Sequence, residues 1–133
     1  MSTAETNAQP KWMTVTGWVM TFLPLLAFLP SAAFKLMAKP EFLEQWTKSY
    51  PESTARPIGV VEILCVVIYL VPPTRVLGAI LLTGYLGGAV STHVRAEQPF
   101  VIPILVGVIV WGGIFLRDAR LRSLLPLTQD QAR

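Results

Sequence analysis

The stretch TRVLGAILLTGYLGGAVSTHV, residues 74–94, carries one charged side chain in 21 positions. A helix rises about 1.5 Å per residue and the hydrocarbon core of a bilayer is about 30 Å thick, so a crossing needs about 20 mostly apolar residues. The stretch therefore predicts a transmembrane helix. Pro72 and Pro73 stand just before it and separate it from the preceding apolar run, because proline cannot continue a helix.

Three further apolar runs predict three more crossings, at about 12–37, 55–71 and 100–116. The run before Pro72 is the least secure, since its uninterrupted apolar core, residues 58–71, is short for a span. It reaches spanning length if the Arg56 side chain extends to the membrane surface and Pro57 lies in the first turn of the helix. In the first run, Pro24 and Pro30 should each bend the helix.

The predicted fold class is all-α, an integral membrane four-helix bundle with a short interfacial helix between spans one and two. The links after spans two and three are very short, so successive spans should be antiparallel neighbours within one domain of residues 12–122. Pro40 and Trp46 bound the predicted interfacial helix. Residues 1–11 are expected to form a disordered tail, and residues 123–133 a polar one.

Composition excludes several classes of protein. Hydrophobic residues make up 53% of the chain and charged residues 14%, whereas a soluble domain carries about 25% charge, so the expected partner is the lipid bilayer. The net charge of +3 lies at the ends of the apolar runs and does not predict nucleic-acid binding. Cys65 and His93 are the single cysteine and histidine, so no internal disulfide, bis-histidine haem site or metal site is predicted, and no cofactor is evident.

Ionisable residues inside the predicted spans indicate where a site would lie. Glu62 stands about five residues into span two, while Lys35 ends span one and His93 and Arg95 end span three. An alternating path brings all four to one membrane face. Either Glu62 pairs with a neighbouring cation to lock the helices, or the four residues form a polar pocket that binds a head-group-like ligand or relays protons, with His93 titrating near neutral pH.

A glycine stripe marks the same helix. Gly84 and Gly88 are four positions apart and Thr92 follows on the same face, a spacing that lets another helix approach closely. Internal packing of the bundle is the predicted role of these three residues. At the other end of the spans, the basic residues of segment 117–122 place both termini on the cytoplasmic side by the positive-inside rule.

Four stretches carry a resemblance to a known family: SAAFKL at 31–36, YPE at 50–52, GVVE at 59–62 and LGAILLTGYLGGAVSTHVR at 77–95. With these, the sequence resembles the DoxX-like family of small bacterial four-helix membrane proteins over about residues 12–126. Ser49 stands where the family usually has a glycine. The resemblance implies a bacterial plasma-membrane protein and, through the thiosulfate-oxidising subunit that gave the family its name, quinone as a candidate ligand.

Three hypotheses of function follow. The first is a ligand-binding or quinone-associated redox-accessory subunit that uses Lys35, Glu62, His93 and Arg95. The second is a small proton-coupled transporter, and the third is a structural or assembly protein that binds a membrane-protein partner or a second copy of itself. The sequence contains no recognisable redox centre, which argues against an independent enzyme.

Overall fold

The computed structural model of the chain describes residues 9–125, which are α-helical and contain no strand. The predicted all-α class is therefore confirmed. Short 3-10 turns, Glu52–Thr54 and Pro72–Thr74, precede two of the helices. The helices are α1 (Lys11–Phe22), α2 (Leu25–Met37), α3 (Pro40–Trp46), α4 (Ala55–Leu70), α5 (Arg75–Arg95), α6 (Val101–Arg117) and α7 (Ala119–Leu124).

The two predicted tails are only partly visible. Residues 1–8 and 126–133 lie outside the described residues. Within the described part, α1 already begins at Lys11, and α7, which contains Arg120 and Arg122, extends to Leu124. The Asp118 carboxylate caps α7, because its Oδ1 accepts a hydrogen bond of 3.0 Å from the backbone N–H of Arg120.

Three helical segments of the described chain are long and apolar enough to cross a membrane. They are Lys11–Met37, Glu52–Leu70 and Pro72–Arg95, with 27, 19 and 24 residues. The fourth apolar helix, Val101–Arg117, has 17 residues and is the shortest. Large apolar side chains on the outer surface are exposed, among them Leu26 at 74% and Val108 at 61%, as expected where lipid is the solvent.

The long helices form a ring. Helix α4 packs against α2 on one side and α5 on the other, and α5 packs in turn against α6. The ring is closed by α1, which packs along α6. The buried core inside it includes Leu82, Val110 and Ile114, and the Tyr69 hydroxyl donates a hydrogen bond of 2.9 Å to the carbonyl of Val110.

The first span is divided between two neighbours. Its helix is interrupted at Leu23 and Pro24, so that the α1 half lies against α6 and the α2 half lies against α4. Pro24 precedes the first turn of α2, where its missing N–H has no helical partner to lose. Pro30, in contrast, stays inside α2, so the two prolines have different effects on the span.

Glycines allow the helices to approach closely at three crossings. A methyl group at Gly78 of α5 would overlap the backbone N and Cα of Tyr69 in α4. A methyl group at Gly113 of α6 would lie 2.8 Å from the Thr21 hydroxyl oxygen of α1. At Gly59 of α4 the methyl group would lie 3.0 Å from the Lys35 Cβ of α2, a less severe contact than at the other two positions.

Candidate functional site

A cavity of about 510 Å³ lies between α2, α4, α5 and α6 at the end of the ring that carries α3. This volume is within the range of about 300–1,000 Å³ that small-molecule sites occupy. Its walls are mostly apolar, and a few polar side chains gather on one side. The lining residues used below are Ser31, Lys35, Trp46, Tyr50, Glu62, Gly84, Tyr85, Gly88, Ala89, Thr92 and His93.

A buried ion pair forms part of the cavity wall. The Lys35 ammonium lies 3.0 Å from Oε2 of Glu62, and the two residues are 8% and 0% exposed. Gly59 explains how α2 delivers the lysine, because a methyl group there would come within 3.0 Å of the Lys35 Cβ. Gly59 stands one turn before Glu62 on α4, so the close crossing and the ion pair share one helix face.

Every N–H donor of Lys35 has an acceptor, whereas only one of the two carboxylate oxygens of Glu62 has a donor. An ammonium group has three N–H donors, and Lys35 directs them to the Ser31 carbonyl at 3.3 Å, to the Ser31 hydroxyl and to Glu62. The Ser31 hydroxyl itself donates to Oε2 of Glu62 at 3.3 Å. The second carboxylate oxygen, Oε1, is buried and has no hydrogen-bond partner among the described residues.

The Tyr85 ring lies beside this pair, with the Lys35 ammonium 5.8 Å from its centroid. Its hydroxyl forms no hydrogen bond to Oε1 of Glu62. Tyr85 therefore belongs to the polar side of the cavity without satisfying the carboxylate.

His93 lines the cavity near its outer end, and its Nδ1 lies 2.8 Å from the Ala89 carbonyl. A carbonyl only accepts hydrogen bonds, so Nδ1 carries the proton and the neutral ring keeps its lone pair on Nε2. Arg95, two positions further along α5, is exposed and does not line the cavity. Of the four residues predicted to share a pocket, the structure brings Lys35, Glu62 and His93 to the cavity and leaves Arg95 outside.

The segment after α3 covers the outer end of the cavity. Thr92 donates to the Gly88 carbonyl at 2.9 Å, so the 2.5 Å contact between Tyr50 and Thr92 is a hydrogen bond donated by the tyrosine hydroxyl. The Trp46 ring packs on Tyr50 with 4.9 Å between centroids and donates its N–H to the Pro51 carbonyl at 3.1 Å. These aromatic rings tie the loop to α5, and their own polar atoms are satisfied.

The glycine stripe of α5 faces the cavity and does not pack against another of the described helices. A methyl group at Gly84 or Gly88 would meet no atom within 4 Å. The predicted internal packing through these glycines is therefore wrong, because no other helix within residues 9–125 approaches them. Gly84, Gly88 and Thr92 instead line the cavity, where the missing side chains leave room.

Sequence reasoning gave Ser31, Tyr85, Trp46 and Tyr50 no role in a site. Two of them could have been found from helical spacing. Ser31 precedes Lys35 by four residues, which places both on one face of α2, and Tyr85 precedes Thr92 by seven residues on α5. The aromatic cover follows only from the path of the loop, for which the sequence carries no comparable signal.

Comparison with known proteins gives one match. No curated protein and no solved structure matches the chain. A family model, described as the DoxX-like family, matches residues 19–113, which extend from α1 into α6 and contain the ion pair and His93.

Proposed function

The chain is a membrane protein that belongs to the DoxX-like family, and from the geometry of its cavity we propose that it binds a lipophilic molecule with a polar head group. The proposed site is the cavity of about 510 Å³ between α2, α4, α5 and α6. One observation carries the proposal: a largely apolar chamber that ends at the buried Lys35–Glu62 pair. Apolar walls with a few convergent polar groups suit an amphipathic ligand.

The cavity favours a binding role over a purely structural role for the ion pair. Protein interiors are close-packed, and few voids exceed the size of a water molecule. If Lys35 and Glu62 only locked α2 to α4, side chains should also fill the space beside the buried pair. Instead, a cavity that Gly84 and Gly88 enlarge lies there.

The family takes its name from a membrane subunit associated with thiosulfate oxidation that passes electrons to quinone. On this family resemblance we propose quinone as the ligand class, with the chain acting as an accessory subunit of a membrane redox enzyme. A quinone has a polar ring and an apolar tail, which matches a cavity with one polar side. The chain would supply the binding site, and a partner protein would supply the redox centre.

Two neighbouring glycines provide a matched test. Gly88 lines the cavity, whereas Gly87 lines a separate groove between α5 and α6 on the outer surface. A methyl group at either position meets no atom within 4 Å, so Gly88→Leu and Gly87→Leu should both fold. The wild type and both variants are purified gently from native membranes, and bound lipophiles are extracted and identified by mass spectrometry.

We expect a lipophile to co-purify with the wild type and with Gly87→Leu, and to be lost from Gly88→Leu because the leucine fills the cavity. Equal recovery from both variants would overturn the proposed site. If the recovered lipophile is not a quinone, the quinone assignment fails and the binding role remains.

A further inference from the structure

The unpartnered atoms of the cavity restrict the chemistry of its ligand. We infer that the head group donates a hydrogen bond, as a hydroxyl or amino group does, and that Oε1 of Glu62 accepts it; this inference rests on the proposed binding function. Glu62 is 0% exposed, and Oε1 has no partner among the described residues. A buried carboxylate oxygen in that state carries a desolvation cost, which a donor from the ligand would remove.

The Lys35 ammonium group beside Glu62 has no N–H left to donate to a ligand. All three N–H groups of Lys35 are engaged by Ser31 and Glu62. A ligand with a carboxylate or phosphate head would therefore bring negative charge next to Glu62 without finding a free ammonium N–H. The cavity thus disfavours acidic head groups despite containing a lysine.

His93 offers a second acceptor of the same kind. Nδ1 donates to the Ala89 carbonyl, so in the neutral form of the ring Nε2 is an acceptor, and it has no hydrogen bond within residues 9–125. The hydroxyls of Tyr50 and Thr92 and the indole N–H of Trp46 already have acceptors. The two unpartnered atoms, Oε1 of Glu62 and Nε2 of His93, are thus acceptors that a donor group would satisfy.

Two probes with the same dodecyl chain test this inference, and the ether of the pair carries a methyl group in place of the hydroxyl hydrogen. Dodecanol and dodecyl methyl ether share the same chain, but only the alcohol has an O–H. Dodecanoate adds an acidic head to the comparison. Binding of each probe is measured by equilibrium dialysis against the protein in detergent micelles. The Gly88→Leu variant serves as the blank, because it partitions the probes into the same micelles without an open cavity.

We expect the alcohol to bind at least about tenfold more tightly than the ether, since hydrogen bonds to charged groups are among the stronger ones in proteins. The dodecanoate should bind more weakly than the alcohol. The variant Glu62→Gln should abolish the preference for the alcohol. Its amide oxygen is expected to face Lys35, which turns the NH₂ group, a donor, into the cavity, and the oxygens of the alcohol and of the ether can both accept from it.

A control variant lies outside the cavity. Gly87→Leu places its side chain in the separate groove on the outer surface, and it should leave the preference for the alcohol intact. Equal affinity of the wild type for alcohol and ether, or an unchanged preference in Glu62→Gln, would overturn the inference about the donor and leave the binding cavity standing. Failure of every probe to bind, together with a wild-type extract free of lipophile, would instead overturn the proposed function.

Discussion

Two alanine substitutions on the same helix should have opposite consequences. Gly78 and Gly84 both lie in α5, and alanine is favoured over glycine within a helix by about 1 kcal/mol, so both variants gain the same amount from this source. At Gly84 the new methyl group meets nothing within 4 Å. At Gly78 it overlaps the backbone of Tyr69 and lies 2.7 Å from the Tyr69 Cβ.

The difference between the two variants isolates the cost of the overlap. Backbone atoms cannot rotate away as a side chain can, so α4 and α5 must separate, and overpacking of this kind costs about 1–3 kcal/mol. We therefore expect Gly78→Ala to be less stable than Gly84→Ala by that amount. The measurement is reversible unfolding in mixed micelles of mild detergent and dodecyl sulfate, followed by circular dichroism at helical wavelengths.

The comparison is informative because it does not depend on the absolute stability of the protein. If Gly78→Ala proves as stable as Gly84→Ala, the close approach of α4 to α5 at Tyr69 is wrong. The lipophile that co-purifies provides an independent check. A small methyl group at Gly84 should leave room for the ligand, whereas separation of α4 from α5 should reduce its recovery.

The other predictions concern charged residues. Lys35→Met leaves the carboxylate of Glu62 buried without its cation and should lower the free energy of unfolding by about 3–5 kcal/mol in the same assay. Adding Glu62→Leu should recover most of that loss, and no recovery would contradict a direct ion pair. Burial opposes ionisation of Asp118, but the N–H of Arg120, the Arg120 charge and the Arg75 charge together hold the pKa of Asp118 below its usual value. A lowered pKa means that the stabilisation of α7 is present above about pH 4 and is lost as the pH falls through the lowered pKa. Protease cleavage of α7 measured across that range should show the loss in the wild type, and a similar loss in Asp118→Asn would refute its origin in this carboxylate.

Apolar runs and prolines predicted the helices well. The stretch 74–94 became α5 with a shift of one residue at each end, and Pro40 and Trp46 bound α3 as expected. The sequence analysis was wrong about which span falls short of the length needed to cross a bilayer, because it named span two. Helix α4 extends back to Ala55 and continues a 3-10 turn that begins at Glu52, so the fourth span is the shorter one.

The sequence does not show how each helix is rotated about its axis, and this rotation decides which neighbour each face of the helix meets. Spacing within one helix shows which residues share a face but not what that face meets, so Gly84 and Gly88 were assigned to packing while Gly78 performs it. His93 and Arg95 illustrate the same limit. Two positions along a helix turn the side chain by about 200°, which brings the first to the cavity and the second to the outside.

Closure of the ring has a consequence for how the protein assembles. The contact between α1 and α6 joins the first and last long helices of the described chain, with Gly113 against Thr21. During synthesis, α2, α4 and α5 can pair in turn as they emerge, whereas α1 has no long partner until α6 is complete. Such a contact is slow to form because a long loop must close before it brings any gain. Helix α6 therefore completes the assembly, and α1 depends on a segment that is synthesised about ninety residues after it.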